Sequence, residues 1–155
     1  MNPITRWWRS KGHGIHSPFA FRMVTGVLPE RGRYYAYDDI EQLPDSGRLK
    51  LLFRVVCELE PSTVYGLFMP DMEKAVILMA DSRVRFVDDP ENADLFVGAL
   101  PRELHEGKSA LFWSAGPAWK EFRSRLTGGM TFSNGRVGLA VNRHGLPRQD
   151  FESAF

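Results

Sequence analysis

Pro61-Ser62-Thr63-Val64-Tyr65-Gly66-Leu67-Phe68-Met69-Pro70-Asp71 is the stretch on which the reading of this chain turns. Val64 to Phe68 is a short apolar run bounded by turn formers, the pattern of a strand buried on both faces. Pro70 and Asp71 suit the start of a helix, where proline's fixed φ and missing N–H do no harm. That helix runs through about Ala80, and its Val76-Ile77-Leu78-Met79 run predicts packing on more than one side. Upstream, Leu52, Val55, Val56 and Leu59 recur at helical spacing, so a helix from Gly47 to Glu60 presents one buried face. Asp45 or Ser46 can cap its first amides, and Pro61 stops it.

Downstream the alternation continues with less helix. Val84 to Val87 reads as a strand ending in Asp88-Asp89-Pro90, and Asp94 to Val97 as another. Pro101 to Glu106 suits one helical turn, and Ser109 to Trp113 a third buried strand. Pro117 to Leu126 is a helix with Trp119, Phe122 and Leu126 on one side. Met130-Thr131-Phe132 and Arg136 to Val141 flank Asn134-Gly135, a dipeptide that favours a tight two-residue hairpin turn. Strand–helix alternation with a terminal hairpin predicts an α/β fold whose sheet is mostly parallel with an antiparallel C-terminal hairpin at its edge. Residues 1–46 form an N-terminal basic and aromatic arm, helical in part, and 47–155 the α/β domain.

Composition narrows the function classes. A chain of 155 residues with 43% hydrophobic and 25% charged content suits one compact domain with a real core. The single cysteine, Cys57, excludes an internal disulfide framework and a multi-cysteine zinc site, and predicts a reducing, cytoplasmic compartment. No apolar run approaches the roughly 20 residues of a membrane span, and the first residues lack the apolar centre of a secretory signal. The net charge of +1 is unevenly spread: Arg6, Arg9, Lys11, Arg22, Arg31 and Arg33 precede Asp38, Asp39, Glu41 and Asp45. A basic arm across an acidic surface, or two solvated faces, accounts for this more simply than an anion-binding or nucleic-acid arm.

His13-Gly14-Ile15-His16-Ser17-Pro18-Phe19, followed by Phe21 and Val24-Thr25, resembles the N-terminal signature of a bacterial group of S-adenosylmethionine-dependent methyltransferases. That group is similar to small-molecule O-methyltransferases. Leu51 to Val56, up to Pro61, resembles the helix before the family's first strand, and Val137-Gly138-Leu139-Ala140-Val141 resembles its last strand. The resemblance covers most of the chain. It implies a Rossmann-like class I methyltransferase sheet with the cofactor over the carboxyl ends of the first strands, where open α/β sheets generally bind ligands. It assigns Tyr65, Gly66 and Phe68 to the cofactor turn, and Asp88 or Asp89 to the ribose hydroxyls. An Asp-Asp-Pro at a strand exit is equally an ordinary turn. If Val84 to Val87 matches the family's third strand instead, the acidic assignment lapses.

The chain departs from that family where the cofactor would sit. Family members follow the first strand with an acidic residue and two or three glycines; here Tyr65 takes the acidic position and Gly66 stands alone. Leu67, Phe68 and Met69 put side chains where ligand would lie, and Pro70 removes a backbone donor. The fourth strand ends in Gly98-Ala99 where metal-dependent relatives carry an aspartate, and Asp94 lies at the wrong end. Asp89 to Ala93 replaces a whole helix–strand–helix layer. The expectation is a shortened methyltransferase-like domain that binds no S-adenosylmethionine, retains no catalytic residue and acts through protein contacts. The alternative is an active small-molecule O-methyltransferase with an atypical cofactor site, which the preserved His13–Phe19 segment would cap.

His13 and His16 have the spacing of two metal ligands on a helix, but no acidic or cysteine partner adjoins them, so no metal is expected. The simpler role is local: His13 and Ser17 bond backbone while Pro18, Phe19 and Phe21 pack the arm down. A substrate-facing cap of His13, His16 and Ser17 is the role implied by analogy. Trp7-Trp8, between Arg6 and Arg9, cannot turn both indoles inward on a helix. They predict a protein partner or a second copy, ahead of a membrane surface or stacked bases. Cys57, beside Val55-Val56, reads as a structural thiol, and Arg143 and Arg148 as surface charges.

Overall fold

Successive strand residues face opposite ways, and the two faces of this sheet sort their side chains accordingly. Leu95 and Val97 enter one core and Phe96 the other; Leu111 opposes Ala110, and Leu139 and Val141 oppose Ala140. A computed structural model describes residues 3–4, 12 and 14–155. Its helices are α1 (Pro18–Arg22, continued by a π-turn over Met23–Val27), α2 (Tyr37–Ile40), α3 (Ser46–Leu59), α4 (Asp71–Ala80) and α5 (Pro117–Arg125). Its strands are β1 (Thr63–Tyr65), β2 (Arg85–Phe86), β3 (Leu95–Val97), β4 (Lys108–Phe112), β5 (Met130–Ser133), β6 (Gly138–Asn142) and β7 (Gln149–Glu152).

The seven strands lie in the order β2-β1-β3-β4-β6-β5-β7. The first four run parallel, β6 is antiparallel to both β4 and β5, and β7 is parallel to β5. This is a Rossmann-like α/β sheet, mostly parallel, with the antiparallel hairpin expected from the sequence. The hairpin is not the edge, however. β7 pairs outside it, with Phe151 stacked on Phe132 at 5.3 Å between centroids. The tight turn also shifts by one residue. Asn134 N–H donates to Val137 O at 3.3 Å, while Asn134 Oδ1 accepts from the N–H groups of Arg136 and Val137, leaving Gly135-Arg136 at the tip. An asparagine side chain bonding two residues onward is a turn in its own right.

α3 and α4 cover one face, and the segment before α3 joins the same core through Ala20, Met23, Val24, Leu28, Tyr37 and Ile40. α3 ends where Glu60, at φ 49°, donates its N–H to Val56 O ahead of Pro61. Its start differs from expectation: Asp45 adopts a left-handed backbone and makes no side-chain cap. In α4 only Glu73, Val76 and Ile77 are buried, and Leu78 and Met79 are exposed, so the helix packs on one side. On the other face, α5 seats Trp119 against Gly138, where any β-carbon would overlap the indole. Pro101 to Glu106 forms no helical turn.

β1 lies between strands reached in different ways. The chain passes from β1 to β2 through α4 on the main-core face, then from β2 to β3 through residues 87–94 on the other. Parallel strands ordinarily need a connection of about a dozen residues or more. Here the return takes only residues 87–94, with a single 3-10 turn at Pro90–Asn92. Side chains hold it down: Thr63 Oγ1 donates to Asn92 O, Lys108 Nζ donates to the carbonyls of Glu91 and Ala93, and Asp94 Oδ2 accepts from the N–H groups of Ser62 and Thr63. Among the described residues no helix is long and apolar enough to cross a membrane.

Candidate functional site

The strand order reverses between β1 and β3, and the crevice at their carboxyl ends is where an open α/β sheet offers a ligand site. Tyr65 closes β1, and Gly66 follows it in a crowded position. A β-carbon there would stand 2.5 Å from Met69 Cε and 2.9 Å from Val97 O. Met69 is buried in this turn, but Leu67 and Phe68 are 63% and 93% exposed. Of the three bulky residues expected to fill the turn, only Met69 does so; the chain reverses at Phe68, φ 51°, and throws the two neighbours outward.

Four residues after Met69 stands a buried polar group that its sequence context did not single out. Glu73, in the first turn of α4, is 3% exposed and ion-paired with Arg48 of α3. The Arg48 guanidinium lies over the Trp113 ring, 4.4 Å from its centroid. Trp113 in turn packs on Gly98, whose φ of 68° lets the chain turn away after β3. Met69, the Arg48–Glu73 pair and Trp113 therefore occupy the main-core side of the crevice. The available signal was that Glu73 shares a helix face with Val76, Ile77 and Ala80.

The other side is open. A cleft of about 930 Å³ lies along β1 and β3, with Tyr65 and Phe96 on its floor and Leu67, Gly98, Leu100 and Arg102 around it. Tyr65 and Phe96 meet edge to face at 5.8 Å.

The acidic candidates divide. Asp89 caps the 3-10 turn Pro90–Asn92, accepting from Glu91 N–H at 3.0 Å and from Asn92 Nδ2 at 2.9 Å, so the ordinary-turn role is filled. Asp88 is exposed just past the carboxyl end of β2. Asp94 is at the amino end of β3, as expected, and serves backbone donors there.

The arm segment lies elsewhere. Ser17 caps α1 through Ala20 N–H and donates toward Met130 Sδ at 4.0 Å, and Phe19 meets Phe132 at 6.2 Å. Met130 opens β5, which runs in the same direction as β1, so this contact is at the amino end of the sheet. The fold does not bring Ser17 to the Tyr65–Gly66 turn; His16 is exposed next to it. Phe19 is packed in, Phe21 is 47% exposed, and Pro18 is exposed. Trp7, Trp8 and His13 lie outside the described residues.

Three further expectations are corrected. Cys57 is exposed, turned off the Val55-Val56 face, and partial desolvation with the nearby charges of Asp81 and Glu60 pushes the thiol above its ordinary value. Arg143 is a structural residue: it donates to Leu59 O and lies over the Phe19 ring. Arg148 likewise bonds the carbonyls of Leu126 and Arg123 and the Asp150 carboxylate. Among the described residues no three His, Cys, Asp or Glu side chains gather as a metal would require.

No family model, no curated protein and no solved structure matches this chain.

Proposed function

We propose that this chain is a methyltransferase-like domain that has lost catalysis and acts through protein contacts. The observation that carries this reading is the closure of the Gly66 turn. Met69 fills the space a glycine-lined cradle would leave for a cofactor, and the Val97 carbonyl bounds what remains. The Arg48–Glu73 pair and Trp113 occupy the adjoining space. These residues do not fit S-adenosylmethionine in the position the resemblance implies. The single cysteine favours the cytoplasm as the place of action.

A second reading rests on the cleft beside Tyr65 and Gly98, which has the size of a small-molecule site. It is an active small-molecule O-methyltransferase that holds S-adenosylmethionine atypically. Calorimetric titration of the protein with S-adenosylmethionine and with its demethylated product decides between them. No heat and no thermal shift at millimolar ligand is the expected result. Saturable binding in the micromolar range, weakened by Gly66→Val or Asp88→Ala, overturns the first reading in favour of the second.

A further inference from the structure

We propose that the Leu67–Phe68 turn of one copy of this chain seats in the cleft of a second copy, each giving and receiving, to form a two-fold dimer. The inference rests on the protein-contact reading and names the partner that it leaves open.

Phe68 is the first reason. A bulky residue in the left-handed region is a steric outlier, and such strain persists where the surrounding structure and function require it. Its effect here is to hold an aromatic ring 93% exposed, next to Leu67 at 63%. Two adjacent large apolar side chains standing in water are a contact surface in search of a cover.

The cleft is the second reason. Parallel strands are ordinarily covered on both faces. On this face α5 packs over Ala110 of β4 and Ala140 of β6, while Tyr65 of β1 and Phe96 of β3 floor an open cleft. Projection and cleft belong to one patch, because Leu67 borders the cleft and Phe68 follows it. A patch that carries both a projection and its receptacle is self-complementary under a two-fold axis, as an isologous interface requires.

The rim charges bear on register. Asp71 is exposed three residues after Phe68, at the start of α4, and the cleft rim carries Arg102 and Lys108 beside Glu91 and Glu103. In the proposed register Asp71 of one copy faces Arg102 of the other, and this opposite-charge pair fixes the register.

Sedimentation of the full chain over a range of concentrations tests this. The wild type is expected to show a concentration-dependent dimer. Phe68→Gly suits the left-handed backbone, so the variant should remain folded while its dimer weakens by at least about tenfold. Phe68→Asn, which tolerates the same backbone, serves if the glycine variant unfolds. Arg102→Asp should also weaken the dimer, and Asp71→Arg combined with Arg102→Asp should restore it. A wild type monomeric at every concentration overturns the proposal. So does a dimer that Phe68→Gly leaves intact, which would move the contact to another surface such as the Trp7-Trp8 segment, and so does a charge exchange without rescue. Cofactor heat in the calorimeter would instead overturn the underlying reading, and sedimentation reports on the dimer separately.

Discussion

The guanidinium of Arg48 lies 4.4 Å from the centre of the Trp113 ring while it pairs with the carboxylate of Glu73. One side chain thus joins α3, the exit of β4 and the first turn of α4 at the crevice. The partners are unequal: Glu73 is 4% exposed at its side chain and Arg48 39%. Removing the cation therefore leaves a buried carboxylate without its partner. Arg48→Ala is expected to cost about 2 kcal/mol, below the range for fully buried pairs because Arg48 is partly solvated. Glu73→Gln keeps shape and hydrogen bonding and should cost about 1 kcal/mol. Urea unfolding measures both. A loss for Arg48→Ala within the roughly 0.5 kcal/mol of a surface change would mean that water, not Arg48, compensates Glu73.

Gly66 is confined on two sides by Met69 and the Val97 carbonyl. Gly66→Ala should destabilise by about 1–3 kcal/mol, the usual range for overpacking. Shortening Met69 to Ala in the same chain should relieve only part of this, because the carbonyl belongs to β3 and cannot rotate aside. Full recovery in the double variant would show that the thioether alone sets the constraint.

Trp119 and Gly138 act as one unit across α5 and β6. Trp119 is 1% exposed, and its indole occupies the space of a β-carbon at Gly138. Trp119→Ala should cost about 3–5 kcal/mol. Gly138→Ala should be strongly destabilising alone but nearly neutral once Trp119 is Ala, a coupling above about 1 kcal/mol. Additive losses would contradict the overlap.

Asp150 ties β7 to the sheet and makes the edge sensitive to acid. Burial opposes its ionisation, yet hydrogen bonds from Arg148 and Thr131, with the charges of Arg148 and Arg123, hold its carboxyl below the usual range. A carboxyl lowered in the folded state stabilises fully above its unfolded value, about 3.9. That contribution is lost as pH falls through the lower folded value. The stability difference between wild type and Asp150→Asn should therefore be constant near neutrality and shrink in acid. A difference that grew on acidification would reverse the sign.

Much of the fold was legible because periodicity carries it. α3 announces itself through Leu52, Val55, Val56 and Leu59, and β3 and β4 through short apolar runs. β7 was not legible: Gln149-Asp150-Phe151-Glu152 offers one buried apolar residue, and its strand exists because β5 presents an edge to pair with. Leu78 and Met79 misled because an apolar run on a helix does not say which faces have neighbours. At the candidate site, the crowding of the turn after β1 was legible in Leu67-Phe68-Met69. The division of labour among those three residues was not, since it depends on a positive φ at Phe68.

By itself, the sequence determined the order of most strands and helices, the shortness of the connection between β2 and β3, and the absence of a glycine-rich turn after β1. Each is local, written in residue types and in the number of residues between them. Only the tertiary structure decided that Arg48, Glu73 and Trp113 meet, that Ser17 lies at the amino end of the sheet, and that a cleft opens over Tyr65 and Phe96. Those relations join residues far apart in the chain. Their distances follow from how strands pair and helices pack, which no spacing along the sequence encodes.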